Sequence, residues 1–455
     1  MSPDRRTFLA ASALTAASYT RVVGANERVG LGFIGYGLMA KGHVATFREL
    51  PDVSLVALAE VHRGRLAEGL KAMGGESTGY ADFRKLLDDK HVDGVVIATP
   101  DHWHALTTML ACAAGKDVYV EKPLTLFVRE GRWMIDVAAR NKRVVQVGTQ
   151  QRSGKHYQRA RELIRDGQIG KVVSVHLSAL RNAAPGFGNP PDADPPADLD
   201  WDRWLGPAPA RKYNPNRCLY HFRWFWDYAG GQMTNLGAHQ LDIIDWVLGL
   251  ASLKEVAAAG GRYVLTDNGE TPDTQYVLFA LDKWTAAFTM RECAAGAKPE
   301  FGLEFVGTKG ALGISRMGFT VTPDVELPPE NQVPGVKDGH PVGGPKAIAV
   351  ADARKPRTTA IVDRSGSSGE QYREHARNFI DCIRTRKTPV SDLESAHRVA
   401  VACHLGNLSL RLGRSLRWDA KLESIPGDAE AARQLVRPYR APWDKELKAL
   451  GVKDT

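Results

Sequence analysis

The run VGLGFIGYGLMA, residues 29 to 40, constrains this chain more than any other stretch. Apolar and small residues lead without alternation into Gly35-Tyr36-Gly37-Leu38-Met39-Ala40, and a helical pattern follows. A strand that reads this way is covered on both faces. The Gly-x-Gly-x-x-Ala turn between such a strand and a helix has a physical reading. Gly35 permits the tight turn, Gly37 lets backbone approach a pyrophosphate, and Ala40 lets the helix pack closely. Tyr36, Leu38 and Met39 lie along the same turn, where the unpaired N–H groups of the helix N-terminus face an anion.

The pattern repeats downstream. VSLVALAE (53 to 60), VDGVVIAT (92 to 99), DVYVE (117 to 121) and VVQVGTQ (144 to 150) read as further buried strands, with helical segments between them. Alternation of this kind predicts an α/β fold, a doubly wound parallel sheet over residues 26 to 150. The second strand ends in Glu60, placed for the ribose hydroxyls of a dinucleotide. Its charge favours NAD by repelling a 2′-phosphate, while Arg63 and Arg65 leave NADP open.

From residue 151 the pattern changes. A helix over about 155 to 167 and KVVSVHLSALR (171 to 181) precede a Pro-rich loop over 182 to 220. SLKEVAAAG, TQYVLFAL, WTAAFTMREC and GLEFVGTKGALGIS then alternate as strands of an antiparallel sheet with one covered face. A second loop over 325 to 368, helices at 369 to 386 and 392 to 412, and a loose tail from 421 complete the expectation. Residues 151 to 420 thus read as an α+β domain with a large, mostly antiparallel open sheet.

The segment GGQMTNLGAHQLDIIDW, residues 230 to 246, reads as a mostly apolar helix that carries Asn235, His239 and Asp242. On a regular helix these three fall within an arc of roughly 60°. That predicts one polar stripe facing a ligand. Upstream, RCLYHFRWFWDYAGG gathers aromatic rings that suit sugar binding or loop anchoring.

Net charge is +8, but basic and acidic residues are interleaved, with no basic block joined to aromatics, so nucleic acid is not an expected partner. The five cysteines include no CxxC pair, so no metal site is expected. No run is long enough for a membrane-spanning helix. The first 25 residues carry Arg5-Arg6, a short Ala- and Ser-rich run and the small-residue site Val23-Gly24-Ala25. They resemble a twin-arginine export signal, which implies a periplasmic destination.

Taken together, GFIGYGLMA, the ATPDHWH segment (98 to 104), Glu121-Lys122-Pro123 and the GG…LGxHxxD helix resemble the Gfo/Idh/MocA oxidoreductases. That family includes glucose–fructose oxidoreductase and inositol dehydrogenase, and its exported branch is the most similar. The resemblance implies NAD(P) as cofactor and a sugar, polyol or glycoside as substrate. It also implies a homo-oligomer, dimer or tetramer, built on the open sheet. By the same resemblance Lys122 is the catalytic lysine and His239 the usual acid/base. Thr99, Pro100, Trp103, His104, Glu121 and Gln150 surround the cofactor, and Pro123 follows a cis bond. One position departs: Asn235 stands where the family commonly has Asp, which puts a three-member proton relay in doubt.

Oxidising a secondary alcohol releases a proton that the protein must take. His239 begins near a suitable pKa, and burial beside a positive ring would lower that of Lys122. Lys122 could be the base, or a cation that polarises the oxygen. Arg152, His156, Tyr157, Arg181, Arg223, Asp227, Asn235 and Asp242 are candidates for holding substrate. Two other functions fit the same motifs: an NAD-dependent glycosidase that oxidises and re-reduces its sugar, and a non-catalytic dinucleotide sensor.

Overall fold

The computed structural model describes residues 28–296, 299–326, 335–337, 340–342 and 355–452. The export signal over residues 1 to 25 lies outside them, as does much of the loop expected over 325 to 368.

The first sheet has six parallel strands: β1 (Val29–Ile34), β2 (Val53–Ala59), β3 (Thr78–Tyr80), β4 (Gly94–Ile97), β5 (Asp117–Glu121) and β6 (Val145–Gly148). Their order is β3-β2-β1-β4-β5-β6. Every residue of β1, β4, β5 and β6 is buried, as strands with helices on both faces require. The chain reverses its winding between β1 and β4. In open parallel sheets ligands bind in the crevice at that switch, beyond the carboxyl ends of the strands. Here those ends carry Gly35, Thr99 and Lys122.

The second sheet has nine strands. They are β7 (Val172–Leu180), β8 (Glu255–Gly261), β9 (Thr274–Ala280), β10 (Thr285–Arg291), β11 (Leu303–Gly307), β12 (Gly310–Ser315), β13 (Gly318–Pro323), β16 (Ile361–Asp363) and β17 (Leu416–Arg417). A two-stranded ribbon, β14 (Gly335–Lys337) with β15 (His340–Val342), stands apart. The large sheet runs β16-β13-β12-β11-β7-β10-β9-β8-β17. Only β7 and β10 pair in parallel; the other pairings are antiparallel. Val277, Phe279, Phe288, Met290, Val175 and Leu177 point inward against helices Ala238–Leu248 and Leu393–Leu412. Tyr276 and Leu278 point outward on the open face.

Four expectations change. The segment expected as a loop over 325 to 368 carries strands β14, β15 and β16, the last of them at the edge of the large sheet. A sixth strand, β3, joins the edge of the first sheet. The helix expected over 230 to 246 opens with a wide π-helical turn, Met233–Gly237, before becoming regular at Ala238. The tail is not loose: short helix Ala429–Arg433 and Leu435 pack into the core of the second domain, and the chain then returns to the first with helix Trp443–Ala449. Tyr439 and Trp443 are buried in that first core, and the Tyr439 hydroxyl donates to Glu130.

Candidate active site

A cleft enclosing about 1430 Å³, part of it open to solvent, runs from the end of β2 to the start of the π-helical turn. Its walls include Gly35, Tyr36, Gly37, Leu38, Met39, Glu60, Thr99, Pro100, Trp103, His104, Glu121, Lys122, Arg223 and Asn235.

The local geometry follows from the sequence. Gly35 has φ +86°, and a Cβ there would sit 3.1 Å from the Ala98 carbonyl carbon. Only glycine makes this turn without strain. A Cβ on Gly37 would meet almost nothing, its nearest neighbour being the Ala98 oxygen at 4.0 Å. That open space lies at the N-terminus of helix Leu38–Arg48, which has no side-chain cap. Glu60 braces the turn from the other side. Its Oε2 accepts the Tyr36 N–H at 2.7 Å and its Oε1 the His62 N–H at 2.9 Å.

Among the described residues, four buried polar atoms of residues lining the cleft have no hydrogen-bond partner: Thr99 Oγ1, Thr107 Oγ1, Glu121 Oε2 and Trp443 Nε1. Buried polar atoms are rarely left unmatched, so their presence along the cleft fits a hydroxyl-rich ligand. The other Glu121 oxygen is occupied by His43 Nε2 at 2.7 Å and Gln150 Nε2 at 2.8 Å. Open space at Gly37, uncapped amides, a carboxylate at Glu60 and orphaned oxygens at Thr99 and Glu121 together match a dinucleotide.

At the far end of the cleft a cis peptide joins Lys122 to Pro123. His104 contacts both the Pro123 carbonyl, at 2.7 Å, and the Thr99 carbonyl, at 3.0 Å, tying the ends of β4 and β5 together. Lys122 Nζ donates to the Asn235 carbonyl at 2.9 Å and to its Oδ1 at 3.1 Å. The Asn235 amide donates to Gln232 Oε1, and Gln232 donates to Glu292. This chain explains asparagine at position 235: it accepts from Lys122 and donates to Gln232, which an ionised aspartate cannot do. Burial is the first cause holding Lys122 below the ordinary ammonium range, and Arg223 and Arg316 add to it. His239 is held well below the usual imidazole value by burial, then by Lys122 and Arg316.

Several expected ligand-binding residues do other work. Arg152 and Asp242 form a buried pair, with Nη2 to Oδ1 at 2.7 Å and Nε to Oδ2 at 2.9 Å. They therefore brace helix Ala238–Leu248 and do not line the cleft. The wide turn before Ala238 breaks the regular 100° spacing on which the stripe rested. Arg181 is bound by Glu292 and lies over Trp224. Asp227 is held among Arg211, Arg217 and Arg437. Gln150 is buried, its amide given to Tyr119 and Glu121. Tyr157 is a core residue whose ring lies tilted against that of His156, and the His156 ring reaches the Ser315 carbonyl. His239 lies beyond Asn235 rather than on the cleft wall, with Arg316 Nη2 at 3.5 Å from its Nε2.

Other residues enter that the sequence did not single out. Trp443 reaches the cleft from the tail, stacked on Phe83 and edge-on to Trp103. His43 anchors Glu121 from helix Leu38–Arg48. No spacing in the sequence marks either residue.

Comparison with known proteins agrees with this geometry. The Gfo/Idh/MocA oxidoreductase family model for an NAD-binding Rossmann fold matches residues 29–149. The model for that family's C-terminal α/β domain matches residues 153–258 and 364–445. The chain is 23% identical over 408 residues to myo-inositol 2-dehydrogenase of Thermotoga maritima, covering 87% of this chain and 99% of that protein. It is 30% identical over 184 residues to levoglucosan dehydrogenase of Pseudarthrobacter phenanthrenivorans, covering 38% of this chain and 45% of that protein. Among solved structures, levoglucosan dehydrogenase in complex with NADH and levoglucosan shares the fold, with TM-score 0.64 at 18% identity over 86% of this chain and 99% of that one. The chain belongs to the Gfo/Idh/MocA family of NAD-binding oxidoreductases.

Proposed function

We propose that the protein oxidises a secondary hydroxyl of a ring sugar, polyol or glycoside, with NAD as cofactor. The observation that carries this reading is Lys122, which ends the cofactor cleft and is clamped by both oxygens of Asn235. Bound NAD supplies the acceptor for the hydride that leaves the alcohol carbon. The chain's own residues position the substrate and manage the proton.

A neutral lysine has two N–H groups and one lone pair. The Asn235 carbonyl and Oδ1 take the two N–H groups. The lone pair is left to accept the hydroxyl proton, and the depressed pKa of Lys122 favours that neutral form. In the reverse direction the resulting third N–H donates to the carbonyl oxygen. His239, neutral and close behind, can pass the proton on. Glu60 holds the ribose and, being negative, disfavours a 2′-phosphate.

The relatives' substrates, inositols and levoglucosan, support a cyclic polyhydroxylated substrate. The test is reduction of added NAD by a panel of cyclic sugars and inositols, with the products identified by NMR. A keto product formed with one equivalent of NADH supports the reading; glycosidic cleavage without net reduction contradicts it. Arg5-Arg6 and the run behind them support export by the twin-arginine route. Retention of an Arg5→Lys, Arg6→Lys double variant in the cytoplasm checks this. The outward Tyr276 and Leu278 support self-association through the open sheet, measurable by sedimentation.

A further inference from the structure

Arg316 sits in the turn between β12 and β13. Its backbone is pinned, because Gln371 donates to its carbonyl at 3.2 Å and Gly366 donates to that of Met317 at 3.1 Å. The side chain therefore reaches over His239 from a fixed base. The guanidinium is partly buried and has no ion-pair partner among the described residues. A guanidinium partly withdrawn from water and without a counter-ion is disposed to take an anionic ligand.

The surroundings deepen the imbalance. Lys122 and Arg223 also face this end of the cleft, and both have only uncharged partners, Asn235 and the Tyr220 carbonyl. Among the described residues, three carboxylates around Lys122 and His239 are already committed or reluctant to ionise. Glu121 is bonded to His43, and Asp242 is paired with Arg152. Asp101 is buried, and burial holds its carboxyl above the usual range. The cofactor's phosphates do not account for Arg316, since it is not on the wall of the cofactor cleft, and the uncapped helix at Leu38 lies at the other end.

We infer that the substrate carries an anionic group, a carboxylate or a phosphate, and that Arg316 binds it beside Lys122 and His239. This rests on the dehydrogenase reading above and narrows it to acidic sugars such as uronates, aldonates or sugar phosphates. Guanidinium groups bind both oxyanions through paired N–H donors. Arg223, whose charge also acts on Lys122, adds to the positive field that favours such a ligand.

The experiment uses the full-length protein loaded with NAD and matched probes: glucose, glucuronate, galacturonate, gluconate and glucose 6-phosphate. Initial rates of NADH formation give kcat/KM, and calorimetry on the same holoenzyme gives binding without requiring turnover. An acidic sugar is expected to exceed its neutral parent by roughly 10- to 100-fold in kcat/KM, the size of one charge-assisted hydrogen-bonding contact. In Arg316→Ala the ratio of acidic to neutral kcat/KM should collapse toward one, and Arg316→Lys should restore part of it. A preference for glucuronate over glucose 6-phosphate, or the reverse, separates carboxylate from phosphate.

If neutral sugars are oxidised and acidic ones gain nothing from Arg316, the inference falls while the dehydrogenase reading stands. If acidic sugars bind in an Arg316-dependent way without reducing NAD, recognition stands and the dehydrogenase reading falls. If Arg316→Ala lowers kcat on acidic and neutral sugars equally, Arg316 only positions His239 and the inference is wrong.

Discussion

The pair Arg152–Asp242 was expected to touch substrate and is instead sealed behind the site, which gives a quantitative prediction. The two side chains are 3% and 1% exposed and meet through two contacts, at 2.7 and 2.9 Å. Arg152 Nη1 also donates to Ser395 Oγ at 3.1 Å, so the guanidinium joins helix Ala238–Leu248 to the start of helix Leu393–Leu412. Removing Arg152 leaves Asp242 buried without its cation, and removing Asp242 leaves the Arg152 guanidinium only a longer contact with Asp245, at 3.8 Å. Losses from that cause are about 3–5 kcal/mol. Asp242→Ala and Arg152→Ala should each lose stability in that range. Arg152→Met with Asp242→Leu should recover most of it, because no charge is left behind. Urea titration followed by circular dichroism and tryptophan fluorescence measures all four proteins. Losses below about 1 kcal/mol in the single variants, together with a large rise in KM, would refute the bracing role and return both residues to the substrate.

Glu60→Ala removes the acceptor for the Tyr36 and His62 N–H groups as well as the ribose contact proposed for it, so NAD affinity should fall by roughly 10-fold or more in fluorescence titration. Unchanged affinity would mean that Glu60 does not shape the site. Trp443→Ala opens the wall shared with Phe83 and Trp103, and should cost about 3–5 kcal/mol while weakening NAD binding; full stability would show that the tail is dispensable. His375 is wholly buried between Ser153 and the Val147 carbonyl, and burial holds its pKa down at about 4, from 6.5. Between those values the unfolded chain binds the proton and the folded chain does not, so stability falls as pH drops through that window, by up to ~1.4 kcal/mol per pH unit. His375→Gln should flatten that slope in denaturation measured across the window; an unchanged slope would contradict the assignment.

What could be read in advance depended on how local the cause is. The parallel sheet was legible because β1, β4 and β5 are apolar on both faces and the glycine turn must follow such a strand. The cofactor wall followed, since Gly35, Glu60, Thr99 and Lys122 stand at strand ends whose order the crossover rule sets. Strand β3 was missed because three residues with partly exposed side chains carry no hydrophobic pattern. The tail was missed because it is held by single aromatics, Tyr439 and Trp443, rather than by a periodic face. The polar stripe over Asn235, His239 and Asp242 assumed a regular helix, and no spacing reveals a π-helical turn. Nor can spacing tell an Asp that meets substrate from one that meets a buried Arg.

The clamp on Lys122 is the centre of the account, and the most direct measurement is turnover of Lys122→Ala and His239→Ala on the sugar that wild type oxidises fastest. NAD affinity of each variant is measured alongside. The account predicts NAD binding close to wild type, with kcat reduced about 10²- to 10⁴-fold, the range for loss of a general base. Wild-type kcat in both variants, with NAD still bound, would contradict it.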